Sequence, residues 1–353
     1  MGTVRGRGLD RIDRATMDGA VADRSWRAST PEAIDADLAA LWRDVGRGET
    51  SVARAVMSNL IVFRSPTSAA GGDMAALVGG VPVEEVAARH PSRVIVLEHC
   101  HGEAPRAPSA SAVGILTFGP PTARYGVELI VVRSACPEPS LLSILRRFVR
   151  GDIPTSIWWT EDMSDAAPSD ALLTVGRQLV YDSRRWRDAR RGAAAMAPLV
   201  RHHRVDLADL NWRRLAPLRR ALTHARGQLK SDAWRGVDVR VSHAADEAAL
   251  AWLFFGWLRS DGVGCADPAP MAEAAATAAR DREGGALLAI EIGDMHATLS
   301  LRSADVVCPD APPLGVAAAA ESEADAVAAE LRSLAPDRTL AAALEAIVER
   351  FER

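Results

Sequence analysis

Lysine is almost missing from this chain: of its 42 basic residues one, Lys230, is lysine. Such a skew fits the codon usage of a GC-rich genome, so an arginine here is not by itself a sign of bidentate anion recognition. Long apolar runs are missing too. No stretch approaches the roughly 18–20 residues that span a bilayer. The polar opening MGTVRGRGLDRIDRATMDGAVADRS has no apolar centre of the kind a secretory signal needs. Cysteine is sparse: Cys100, Cys136, Cys265 and Cys308 lie far apart with no Cys-x-x-Cys pair. That spacing argues against a disulfide scaffold or zinc ribbon and for a reducing cytoplasm. G-x-x-x-x-G-K-[ST], G-x-S-x-G, H-E-x-x-H and a strand-to-helix G-x-G-x-x-G are all absent. These gaps lower the expectation of catalysis without excluding triads or carboxylate pairs assembled in space.

What is present describes a globular α/β protein. The chain has 353 residues, 48% of them hydrophobic, enough for two domains of ordinary size or one large one, with a substantial core. A net charge of −4 excludes a surface given over wholly to nucleic acid or membrane. Thr30-Pro31-Glu32 starts a helix that buries Ile34, Leu38, Leu41, Trp42 and Val45. Near-continuous apolar strands follow at 59–63, 93–97, 155–159 and 179–182, and 113–118 with 127–132 reads as a hairpin. Helices are expected at 82–89, 139–154 and 169–178. Strands apolar on both faces and alternating with helices imply a sheet covered on both sides. The second half repeats the alternation, with strands at 237–241, 286–292 and 297–301 and a helix capped by Ser242. The expected organisation is a flexible leader 1–29, an N-terminal α/β domain 30–183, a basic helical linker 184–205, a C-terminal α/β domain 206–310, and C-terminal helices 311–353.

Four stretches invite a functional reading. EHCHGE (98–103) puts His99 and His101 on one face of a strand, two metal ligands without a marked third; solvated histidines at a strand end are the plainer account. Trp158 and Trp159 end a strand, where ligand crevices form in parallel sheets, although packing on both faces explains them as well. From 184 to 226 there are twelve arginines against three acids, a local charge of +9 in an acidic chain. Such a tract suits a phosphorylated metabolite or an acidic protein surface better than nucleic acid, for which aromatic interleaving is thin; a solvated helix face in an arginine-biased chain accounts for it equally well. DLADLNWRRLAPLRRAL (206–222) reads as a helix capped by Asp206 and kinked near 215–216 by Pro217, with Asn211 and Trp212 on the turn before the kink.

This last string resembles the hallmark of the OpcA family, the glucose-6-phosphate dehydrogenase assembly proteins, in which Leu-Asn-Trp-x-Arg-Leu-x-Pro-x-Arg follows an Asp-rich start. RAVMSNLIVF (54–63), HPSRVIVL (90–97), GDIPTSIWW (151–159) and QLVYDS (178–183) are similar to further family segments in the same order, over about 50–305. The resemblance implies a non-catalytic assembly factor and allosteric activator of glucose-6-phosphate dehydrogenase, supporting the oxidative pentose phosphate pathway and NADPH supply. It implies no cofactor, no metal, no nucleic acid and no membrane. The matching positions are Arg93, Trp158, Trp159, Asp182, Asn211, Trp212, Arg214, Pro217 and Arg219, as partner contacts or as supports of the fold. Cyanobacterial members carry thioredoxin-linked redox control through cysteines, which do not map onto the four present here. The competing reading is a sugar-phosphate enzyme or sensor with an arginine-lined crevice near Trp159 and Asp182.

Overall fold

The computed structural model of the chain describes residues 21–28, 30–48, 51–65, 78–99, 110–134, 138–202, 205–228, 237–271, 285–309, 311–333 and 335–353. A nine-stranded sheet holds β1 (Val21–Ala28), β2 (Val52–Arg54), β3 (Ser58–Arg64), β4 (Ser92–His99), β5 (Ala110–Phe118), β6 (Arg124–Ser134), β7 (Thr155–Trp159), β8 (Gln178–Tyr181) and β9 (Asp206–Asp209). Its order is β1-β5-β6-β4-β3-β7-β8-β9, with β2 on β6. The run from β6 to β9 is parallel, while β5 and β1 add antiparallel strands outside it. The chain winds outward from β3 in both directions, so the order reverses between β3 and β7, a topological switch point. Every residue of β3 and β7 is buried, as apolar strands covered on both sides must be.

One face of this sheet carries Leu60, Val62, Val94, Val96, Trp158 and Val180 beneath α2 (Val83–Arg89) and a late helix, α9 (Glu323–Arg332). The other face carries Ile61, Phe63, Ile95, Leu97, Trp159 and Tyr181. It is covered by α1 (Pro31–Gly46), α3 (Glu138–Phe148), the short α4 (Asp170–Leu173) and α5 (Ala189–His202). Thr30 caps α1 as expected, its hydroxyl accepting from the Ala33 amide.

The joint comes next. β9 passes into α6 (Leu210–Arg214), and after a break at Leu215 the chain continues as α7 (Ala216–Gln228). A second sheet follows, of β10 (Val239–His243), β11 (Ala269–Pro270), β12 (Ala286–Ile292), β13 (Met295–Ser300), β14 (Ser303–Cys308) and β15 (Ala311–Ala317), in the order β11-β10-β12-β13-β14-β15. α8 (Ala248–Ser260) packs on α10 (Arg338–Glu352), and α10 packs back on α5.

Several expectations need correction. Residues 21–28, placed in a leader, form β1. Asp206 lies in β9, and the cap of α6 is Asp209, whose carboxylate accepts from the Asn211 amide. The kink holds, for Leu215 separates the two helices. The helix expected over 169–178 stops at Leu173, and Ser242 lies inside β10 rather than at a helix start. The second sheet is mixed, with a single parallel pair, β10–β11. Its burial alternates along β10 and β13; β13, β14 and β15 meet α7, and β10 meets the next helix, α8. Residues 311–317, expected helical, form its edge strand. The core runs without interruption from Phe63 and Trp159 through Trp212 and Leu218 to Leu288 and Leu344.

Candidate functional site

Six of the nine family-matching residues converge on the joint. Asp209, at the end of β9, aims one carboxylate oxygen at two amides, Ser183 at 3.1 Å and Asn211 at 2.8 Å. One acid thereby caps α6 and anchors the 3₁₀ turn Ser183–Arg185 that leaves β8. Asp182 caps the same turn through the Arg184 amide at 3.0 Å and pairs with the Arg184 guanidinium. The Asn211 amide donates to the Ser183 hydroxyl at 3.0 Å, and its oxygen accepts from Arg214 at 2.9 Å. Arg214 then grips Glu247, just before α8, with two bonds of 2.7 and 2.6 Å.

Trp212 is 3% exposed. Its indole N–H donates to Asp337 at 2.8 Å, and the guanidinium of Arg219 lies 3.8 Å above its ring, a cation–π contact. The other Asp337 oxygen caps α10 through the amides of Thr339 and Leu340, each at 2.9 Å. Pro217 falls in the first turn of α7, where its missing N–H costs nothing. The joint thus ties the end of the first sheet to the entries of α8 and α10.

Of the nine family-matching residues, the structure gathers Asp182, Asn211, Trp212, Arg214, Pro217 and Arg219 here. Trp159 stands apart, stacked on Phe63 at 4.1 Å between centroids. Trp158 is buried on the opposite face of the sheet. Arg93 is on β4, ion-paired at 3.1 Å with Glu128, whose other oxygen accepts from the indole of Trp42 at 2.9 Å. Both tryptophans of the pair are therefore packing residues, and the carboxylate of Asp182 is held by Arg184 rather than presented to a crevice.

Ten of the twelve arginines of the basic tract have partners within the chain. Arg185 reaches Glu323, Arg187 and Arg191 reach Asp165, Arg201 reaches Glu352, and Arg226 reaches Asp261. Arg213 holds Glu321 and Glu330. Arg190 bonds the Phe351 carbonyl, and Arg184, Arg214 and Arg219 are placed as above. Seven of these ten are staples to acids from well outside the tract.

Asp209 is electrostatically unusual. Burial and the neighbouring Asp182 push its carboxyl up to about 7, against the lowering effect of the Ser183 and Asn211 hydrogen bonds. Its second oxygen is buried without a hydrogen-bond partner. Burial pushes the Cys265 thiol up to about 12. Of the EHCHGE stretch, Glu98 is buried between Arg64 and Arg133, and 100–103 lie outside the described residues, as do Cys100 and Cys136. Among the described residues no group of three or more His, Cys, Asp or Glu side chains is arranged to hold a metal. No helix among them is long and apolar enough to cross a membrane. Sequence reasoning missed Glu247, Asp337 and Ser183 as members of the joint. Asp209 and Ser183 lay inside the quoted strings, but no local signal marks acids recruited from 33 and 125 residues away.

The fold and the joint define a two-sheet α/β scaffold held by an internally paired charged helix. The family model described as the glucose-6-phosphate dehydrogenase subunit N-terminal domain matches residues 83–198, and that of the same subunit's C-terminal domain matches 205–344. A Nostoc punctiforme protein carrying the name OxPP cycle protein OpcA is 28% identical over 200 residues, 54% of this chain and 43% of its own length. The chain belongs to the OpcA family. It spans less than half of that relative's length. Among solved structures it is similar to UDP-N-acetylglucosamine 3-dehydrogenase from Acidithiobacillus ferrooxidans (13% identity, 85% of this chain and 100% of that one, TM-score 0.38). A Gfo/Idh/MocA family oxidoreductase from Vibrio cholerae is a second (10% identity, 82% and 94%, TM-score 0.32). Overlaps this loose carry no argument about activity.

Proposed function

We propose that this chain is a non-catalytic assembly factor and activator of glucose-6-phosphate dehydrogenase, acting in the cytoplasm to support the oxidative pentose phosphate pathway and NADPH supply. The observation that carries the reading is the pair of family matches, both described as domains of a subunit of that enzyme and lying in order along the chain. The joint fits a scaffolding role, since its family-matching residues bond to one another and to Ser183, Glu247 and Asp337. Activation requires only that the protein bind the active form of the dehydrogenase more tightly than the inactive one. A difference of about 1–3 kcal/mol shifts the balance by 5–150-fold.

The family-matching residues then act chiefly by fixing the two sheets relative to each other, and the partner meets surface that they hold in place. The competing sugar-phosphate reading loses its proposed crevice, because Trp159 is covered and Asp182 is occupied.

The test is a titration of glucose-6-phosphate dehydrogenase from the same organism with the purified protein, followed by activity and light scattering together. A heavier complex with lower KM or higher kcat is the expected result. No complex and no kinetic change at micromolar protein would end the proposal, and saturable binding of a sugar phosphate to the isolated chain would revive its competitor.

A further inference from the structure

The register of the parallel strands aligns Phe63, Trp159, Tyr181 and Asp209 in one lateral row on a single face of the first sheet. Phe63 opposes Trp159, Trp158 opposes Val180 one step earlier, and Tyr181 opposes Asp209. The last three members each bury a polar atom with no hydrogen-bond partner: the Trp159 indole N–H, the Tyr181 hydroxyl and the second oxygen of Asp209. The ring of Trp186 stacks on Tyr181 at 6.2 Å between centroids, and its own N–H is likewise unpartnered. The row ends at the acid that caps α6 and holds the Ser183 turn, so its state is felt where the two halves of the molecule join.

We propose that Asp209 is a proton-operated latch, closed when its carboxyl is protonated and loosened when it ionises, so that pH sets the tightness of the joint between the two sheets. The groups around it make the two states unequal. Asp182, just past the end of β8, faces it with a like charge, and Tyr181, its neighbour in the row, is a phenol whose own ionisation burial holds far above neutrality. Arg184, in the turn, is bonded to Asp182 and drawn also toward Glu323 of α9 and, last, toward Asp209 itself. From α6 itself, Arg214 is committed to Glu247 and Arg213 to Glu321 and Glu330. From the start of α10, Asp337 is bonded to Trp212, with Arg338 next in sequence. An ionised Asp209 therefore faces Asp182 with the nearby cations bonded to other acids, and its support is two backbone amides and the field of Arg184, which Asp182 holds.

The sign follows from the raised carboxyl. Relative to an exposed aspartate at 3.8, the buried group holds its proton up to about 7. Its contribution to stability is complete below the exposed value, declines as pH rises toward 7, and is gone above it. Opening that frees the carboxyl should become roughly tenfold easier for each unit by which pH rises toward 7 and then level off. This inference stands whether or not the dehydrogenase is the partner.

Three measurements on the full chain test it: amide exchange of 183–214 corrected for its intrinsic pH dependence, the infrared C=O band of a protonated carboxylic acid, and thermal stability, each from pH 5 to 8.5. In the unaltered protein, protection should fall with the stated slope and plateau near 7 as the band disappears. D209N should lose both the band and the slope. D182N, which removes the like charge but leaves the latch, should move the plateau to lower pH. A band and slope that persist in D209N overturn the proposal, as does their absence in the unaltered protein. If D209N does not fold, an unmoved plateau in D182N overturns it alone.

Discussion

Trp212 shows how completely a single residue can be committed to the interior: its edge donates to Asp337 while Arg219 covers its face. W212F keeps a ring beneath the guanidinium but leaves that Asp337 oxygen without its donor. An unpaired buried partner costs about 1–3 kcal/mol, so urea unfolding should show a loss in that range with unchanged m-value. R219A removes the cation and its packing and should cost about 1–2 kcal/mol by the same measurement. Were these two residues a partner's contact surface, both variants would unfold like the parent and lose the complex instead. Cys265 makes a separate prediction. Thiolate is the reactive form, and burial keeps this thiol protonated. Iodoacetamide at pH 8 should label it far more slowly in the folded protein than in the unfolded chain, as read by peptide mass spectrometry. At this scale the sequence marked Asn211 and Trp212 as out of place in a plain core helix, because an amide and an indole need partners. It could not name Asp337 or Glu247, since hydrogen-bond partners distant in the chain leave no periodic trace.

Among the elements, strands that are apolar on both faces were the most legible, and β3, β4, β7 and β8 lie where their residue pattern puts them. The failures have physical causes. β9 reads as helix because Asp-Leu-Ala-Asp carries a cap residue and helix formers, yet its backbone pairs with β8 from Asp206 to Asp209. β15 is Ala-rich and carries two prolines, which an edge strand tolerates because part of its backbone faces away from the sheet. The helix pair α8–α10 depends on a detail no pattern shows. A Cβ on Gly256 would sit 2.3 Å from the Ala343 carbonyl oxygen, so the two backbones approach as closely as a glycine permits. G256A must push the helices apart. Overpacking of this kind costs about 1–3 kcal/mol, despite alanine's better helix propensity, and should appear as a lowered melting temperature. A neutral or raised melting temperature would show that the pair can slide without loss.

For the whole molecule, the question is whether the arginine tract binds another molecule or binds this one. Read locally it is a patch of +9 facing outward; in three dimensions its charges are met by Asp165, Glu247, Asp261, Glu321, Glu323, Glu330 and Glu352. The overall organisation was legible in part. Two sheets follow from the alternation and the break at 215 from Pro217, but the linker read at 184–205 falls too early, since β9 still belongs to the first sheet, and the return of α9 and α10 to the first half follows from these remote pairings. Single exposed ion pairs contribute about 0–1 kcal/mol, so most of these staples orient more than they stabilise. Arg213 with Glu330 is the better test, because Glu330 is largely buried and the bond is 2.6 Å. A double-mutant cycle of R213A and E330A should return a coupling of about 1 kcal/mol, and raising ionic strength should shrink it only slightly, since partly buried pairs are poorly screened. A tract evolved to face a partner would give the opposite pattern: coupling near zero in the isolated chain, and a loss of dehydrogenase binding in R213A that grows weaker as salt is added.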